Sequence, residues 1–455
     1  MVLRHLKTIL VAALAGLTLG GAADNRLPFS GAASTAATCT RLASSSGDDS
    51  AAGTPGAPWR TAMKLLAGLQ PGDVGCLAAG QTFSSASTED QLNTSNVTLT
   101  SGPGGPPATL LGLLYIGGSN VTVTGLSLNG HNTFVEASNP ASVDGQAGVF
   151  VVGNNVTVTG NDIYNGHSAI CMEVGLRTDT GFIKPTGAVI SNNRIHACGV
   201  LPQTREEHGI YLLHGTGTTI TNNLFYDIAD FGIQLYPDST NTLVDSNVIA
   251  STGDVGGIVV SAETSPASSG NTIRNNIITH TNGYALSTYW GGPAGSGNVA
   301  TNNCVADVRP QDPMVGLTIT GTKVVADAGL DSNYMLHAGS GCLGYGPSWI
   351  QPGASGAPAP STADADGAGA IAITSPFKGG TRASKAGARF KTFRFTLRWA
   401  GAAARTYQVR LDKGHWFSVK GHKHTFKHLR AGKHKFSVRL KGSHGKGTTR
   451  TITIG

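Results

Sequence analysis

The sequence predicts an all-β chain wound in coils, and three observations carry that expectation. First, one Asn-centred unit recurs. The segments NNVTVTGNDIY, GAVISNNRIHA, GTTITNNLFYD, NTLVDSNVIAS, NTIRNNIITHT and GNVATNNCVAD superpose with one Asn always two places before an apolar residue. These are Asn161, Asn193, Asn223, Asn247, Asn276 and Asn303, at spacings of 32, 30, 24, 29 and 27 residues, each the length of one coil plus a loop. Second, a further short strand follows each unit: GVFVVG, AICMEV, GIYLLH, GIQLYP, GIVVSA and ALSTYW. Third, the composition suits many short strands joined by tight turns: 63 Gly in 455 residues, 13% charged residues, and a middle rich in Asn, Thr, Ser, Val and Ile. Together they predict a right-handed parallel β-helix.

The Asn slot has a physical basis. Asn tolerates the left-handed turn conformation, and its amide can bond backbone groups of the coils above and below, so stacked turns form a ladder. An earlier copy, SNVTVTGLSLN, places Leu126 in that slot. In the second strands, alternation puts Val149, Ile170, Ile210, Ile233, Ile258 and Leu286 inward. The same register puts Cys171 in an outward column with Phe150 and Tyr211, and Glu173 in the next with Tyr236.

The N-terminus reads as a signal peptide over residues 1–23. Arg4, His5 and Lys7 precede an apolar run from Thr8 to Leu19 and then small residues to Ala23. That run is shorter than the roughly 20 residues a bilayer span needs, so no transmembrane span is expected after cleavage and the protein is expected outside the cell or at its surface. Export makes Cys39, Cys76, Cys171, Cys198, Cys304 and Cys342 disulfide candidates; their positions suggest Cys39 with Cys76, Cys171 with Cys198 and Cys304 with Cys342.

Charge marks the domain boundaries. Residues 376–455 hold 20 Lys and Arg against one acid, Asp412, a net +19, whereas residues 1–375 hold 13 basic and 25 acidic residues, a net −12. A Pro, Ala and Gly-rich linker at 351–374 separates coils at 39–350 from the basic segment at 376–455.

The middle of the chain resembles the superfamily of right-handed parallel β-helices that includes pectate lyases and other polysaccharide-active proteins. Within it, CTRLASSSGDDS, PWRTAMKLLAGLQPGD, HGIYL and GIQLYPD resemble a bacterial exported β-helix repeat group whose activity is mostly undefined. The resemblance implies that Trp59 to Leu69 form an amphipathic helix capping the first coil. The NTD, DD, GHG and RIK series of polygalacturonases, the DPHE of alginate epimerases and the vWiDH of pectate lyases are absent.

A candidate site therefore rests on stacking. His167, then Arg205, Glu206, Glu207 and His208, then Asp230 and Asp254 fall just before the second strands; Glu173, His214, Tyr236, Asp238, Glu263, Tyr289 and Trp290 fall just after. Acids, His and aromatics along one face suit a sugar chain. Carboxylates on adjacent rungs would sit about 5 Å apart and those two rungs apart about 10 Å, so Glu206 or Glu207 with Asp230 would make a retaining pair, and with Asp254 an inverting pair. Alternatively, His208 or Tyr211 with Arg205 would serve a lyase, and the gathered acids would accept Ca²⁺. Lys184 and Arg177 are expected in a loop before Ile190. The leading expectation is a lyase or glycoside hydrolase, the alternative a non-catalytic surface or adhesion protein that binds glycans. The NVT sequons at Asn96, Asn120 and Asn155 read as turn Asn followed by strand residues.

The basic segment alternates apolar and basic residues in about seven strands and resembles bacterial immunoglobulin-like domains, a small β-sandwich. Its charge, with His415, His422, His424, His428, His434 and His444, points to an anionic cell-wall or matrix polymer; nucleic acid is disfavoured because no recognition motif is present.

Overall fold

The computed structural model describes residues 38–84, 90–131, 147–178, 181–201, 207–250, 252–253, 256–262, 267–288, 294–310, 314–352, 393–398, 406–420, 423–429, 432–440 and 448–454. Among them three parallel sheets wind as successive coils. The first has eleven strands, from Arg41–Ala43 to Leu317–Thr320; the second has ten, from Thr82–Ser84 to Lys323–Val325; the third has eight, from Asp90–Leu92 to Tyr284–Ser287. One coil shows the order: Val189–Ser191, Arg194–Cys198 and His208–Thr216 lie in the first, second and third sheets, and Thr219–Thr221 pairs with Val189–Ser191 to begin the next. Branched side chains fill the interior in columns, as Val158, Ile190, Ile220, Val244 and Ile273 do on the first sheet, all fully buried. Each such side chain contributes about 1.5–3 kcal/mol by leaving water.

The Asn ladder forms between the first and second sheets. The Oδ1 of each Asn accepts the backbone N–H and the side-chain amide of the Asn one coil earlier, from Asn161 onto Asn193 through to Asn276 onto Asn303, at 2.9–3.2 Å. Leu126 occupies the first slot, its N–H donating to Asn161 at 3.0 Å. The left-handed conformation falls one residue earlier than expected. Asn192, Asn222, Ser246, Asn275 and Asn302 have φ between 54° and 57°, with Gly160 at 66°, while the ladder Asn residues do not. Turn geometry and hydrogen bonding are thus divided between two neighbouring positions. The sequon residues Asn96, Asn120 and Asn155 are left-handed turn residues in front of strands, bonded to one another at 3.0 Å.

The helix Ala62–Gly68 is capped by Thr61, whose hydroxyl accepts the Lys64 N–H, and buries Ala62, Leu65 and Leu66 with Trp59 against the first coil. Disulfides join Cys39 to Cys76, Cys171 to Cys198 and Cys304 to Cys342, the pairs that the sequence positions suggested. Residues 328–350 fold back over the outside of the second sheet, where Leu336, Trp349 and Ile350 pack on Leu224, Val248 and Ile277. One outer face is closed by the chain itself.

In the basic segment six described strands form two antiparallel sheets. Phe393–Arg398 pairs with Lys423–Leu429, and the four-stranded sheet runs Phe417–Lys420, Thr406–Leu411, Gly432–Leu440, Thr448–Ile454. The Phe426 and Phe436 rings, 5.2 Å apart, meet between the two. Most of the linker and all of the signal segment lie outside the described residues.

Candidate active site

The outer face of the third sheet carries one column across all eight strands. Register places Gln91, Tyr115, Phe150, Glu173, Tyr211, Gln234, Val259 and Ser287 side by side. Neighbouring rungs are about 4.8 Å apart, so Glu173 stands between an aromatic side chain on either side. This corrects the register of AICMEV. Met172, not Ile170, aligns with Val149 and Ile210, and Glu173 takes the place assigned to Cys171. Cys171 is buried in its disulfide with Cys198.

Glu173 is only 7% exposed. No described residue bonds its carboxyl or pairs with it, and burial pushes its pKa up to about 8. The cause is loss of hydration on burial. At neutral pH this carboxyl is chiefly protonated.

The chain leaves this strand at Gly175, where φ is 90° and an added Cβ would lie 2.4 Å from the His214 carbonyl oxygen. Only glycine fits that close approach. The expected loop beyond it is an antiparallel hairpin, Leu176–Thr178 with Gly181–Ile183. Its far end is anchored to the next coils: Lys184 Nζ donates to both oxygens of the buried Asp238 carboxylate at 2.9 Å, and the Phe182 ring lies 3.9 Å from that of His214. His214 and Asp238 are register partners, with His214 Nδ1 3.7 Å from Asp238 Oδ2. Burial lowers the His214 pKa despite the opposing pull of Asp238. Tyr211 stacks at 6.4 Å on Tyr236, and the His208 ring lies tilted against it at 5.0 Å.

The other sequence candidates fall differently. Glu207 and Asp230 precede paired residues on adjacent strands, as the stacking argument requires, but they are 2% and 0% exposed and do not line an open cleft. His208 is likewise buried, between the Phe231 and Tyr211 rings; its Nδ1 finds no hydrogen-bond partner among the described residues, and burial holds its pKa down to about 3. His167 sits on a left-handed turn with its ring nitrogens 3.0 Å from the Gly199 carbonyl and 3.2 Å from Asp227. Arg205, Glu206, Asp254, Glu263, Tyr289 and Trp290 lie outside the described residues. Among the described residues no group of three or more His, Cys, Asp and Glu is placed to hold a metal ion.

Residues 111–322 match a family model described as a right handed beta helix region. The coil region is a right-handed parallel β-helix. Solved structures similar to it include an alginate lyase from a Paenibacillus species, 18% identical, covering 58% of this chain and 97% of that one at a TM-score of 0.40. A lacto-N-biosidase from Eubacterium ramulus is 13% identical, covering 63% of this chain and 67% of that one at 0.43. A rhamnogalacturonan lyase is 14% identical, covering 63% and 87% at 0.42. No curated protein matches the chain.

On this β-helix the third sheet offers a neutral carboxyl within a row of aromatic and amide side chains, bordered by a cationic hairpin. The sequence places Glu173 among the residues bordering a glycan face but in the wrong register, and gives no role to Phe182. The usable signal was the break at Gly175, followed by LRT and GFI, two short stretches able to pair.

Proposed function

We propose that the protein is an exported polysaccharide-cleaving enzyme that takes a glycan along the outer face of the third sheet and protonates the glycosidic oxygen from Glu173. The observation that carries this reading is the Glu173 carboxyl, pushed up to about 8 by burial between Phe150 and Tyr211. Hydrolysis and β-elimination both need a proton delivered to the departing oxygen, and a carboxyl still protonated at neutral pH supplies it. The flanking rings suit the apolar faces of sugars, and the exposed Gln91 offers an amide to hydroxyls. The hairpin adds the exposed Arg177 guanidinium, which lies over the Phe182 ring, as a cation for a uronate carboxylate, while Lys184 is held by Asp238. The three disulfides suit the oxidising compartment that export implies.

The test is incubation of the mature protein with uronate and neutral polysaccharides, following both unsaturated products by ultraviolet absorbance and new reducing ends. Unsaturated products identify a lyase, and reducing ends alone identify a hydrolase. Binding with neither signal across the panel would replace this reading with the non-catalytic glycan binder.

A further inference from the structure

The basic C-terminal unit carries a cluster of cations gathered on one aromatic ring. On strand Thr406–Leu411, Tyr407 and Val409 are buried with Phe436 and Val438, so Gln408 and Arg410 stand on the opposite face of the four-stranded sheet. Register puts Gln408 beside Arg439 and Arg410 beside Ser437. Trp416, at the end of the turn after this strand, lies on both cations: the guanidinium carbons of Arg410 and Arg439 are 4.6 and 4.2 Å from its ring centre. Two like charges are thus held on one indole.

Their own unit gives them almost nothing to neutralise. Asp412 is the one acidic side chain in residues 376–455, and it is engaged by His434 Nδ1 at 2.9 Å and the Lys435 N–H at 2.7 Å. Arg410 Nε is buried without a hydrogen-bond partner among the described residues. Arg439 Nε donates to Gln408 Oε1 at 3.0 Å, so an arriving oxyanion would be met by the terminal N–H groups of the two guanidiniums. Further along the strand that carries Arg439, Lys433 and Lys435 are exposed at alternate positions of the same face, about 7 Å apart. A row of cations along a strand matches a chain of repeated anions better than a single small one.

We infer that this face binds an anionic polysaccharide, with the Arg410, Trp416 and Arg439 cluster as its anchor and Lys433 and Lys435 extending the track. Glycan is favoured over nucleic acid because the chain's disulfides suit an oxidising exterior, where acidic glycans are the abundant polyanions. The inference is independent of catalysis at Glu173.

The experiment uses the full chain carrying Glu173→Gln, so that cleavage does not interfere. Its affinity for polygalacturonate, for neutral dextran and for duplex DNA is measured over a range of salt concentrations. Polygalacturonate binding that weakens with salt, no dextran binding and weaker DNA binding are expected. The pair Arg410→Gln and Arg439→Gln should lower polygalacturonate affinity about tenfold and flatten its salt dependence. Lys433→Gln with Lys435→Gln, both at exposed positions, should lower it in the same direction without touching the core. Unchanged affinity in both double variants would overturn the inference, as would DNA binding as tight as polygalacturonate. If the arginine pair fails to fold, the lysine pair decides.

Discussion

A carboxyl that stays protonated at neutral pH destabilises the fold that holds it. Unfolded Glu ionises near 4.5, whereas Glu173 ionises near 8, so the unfolded state loses its proton first and stability falls as pH rises between those values. Glu173→Gln should therefore raise stability at pH 8 by on the order of a few kcal/mol and leave it unchanged at pH 4, read from denaturant midpoints. A gain of equal size at both pH values would mean that ionisation is not the cause. His208 acts at the other end. Its pKa lies near 3, below the ordinary 6.5, so the unfolded state gains a proton first as the medium turns acid and stability falls from about pH 6.5 downward. His208→Gln should remove that acid-side loss, checked by thermal melts from pH 7 to pH 4.

At the scale of elements, two adjacent Asn residues do different work and should respond differently. Asn223 accepts two hydrogen bonds from Asn193 and donates to the Ile190 carbonyl, all buried. Asn223→Ala leaves those groups unpaired and should cost about 2–4 kcal/mol. Asn222 supplies φ of 57°, which glycine adopts freely, so Asn222→Gly should stay within about 1 kcal/mol of the native chain. Thermal denaturation of the pair separates the roles. The hairpin makes a third case: Lys184→Met leaves the Asp238 carboxylate buried without its cation, and amide exchange in Leu176–Thr178 and Gly181–Ile183 should accelerate. Exchange as slow as in the native chain would show that Phe182 alone holds the hairpin.

The elements also show where the sequence was informative. The Asn slot was legible, down to Leu126 as its first occupant, because a buried amide between stacked turns has few substitutes. The register of Ile170–Val174 was not. All five of its residues are buried, so Cys171, Met172 and Val174 fit either frame, and only pairing with Val149 and Ile210 decides between them. Position along the strand was a further blind spot. Glu207, His208 and Asp230 read as surface groups because they are polar, whereas all three are buried.

For the molecule as a whole, long-range pairing is the common device: coils stack, disulfides tie segments 27 to 38 residues apart, and residues 328–350 close the second sheet. The outer face of the third sheet carries the row in which a neutral acid stands between two aromatics. Replacing Cys171 and Cys198 by Ser should cost about 3–4 kcal/mol, from the entropy of the loop they close, and should lower the melting temperature without altering the glycans bound. The most direct test of the central claim is the pH dependence of turnover on the best substrate, for the native protein and for Glu173→Gln. A protonated Glu173 acting as acid predicts activity that falls as pH rises through about 8, and a loss of about 10²–10⁴ in kcat for the variant with substrate binding retained. Native turnover in the variant, with the same alkaline limb, would contradict it.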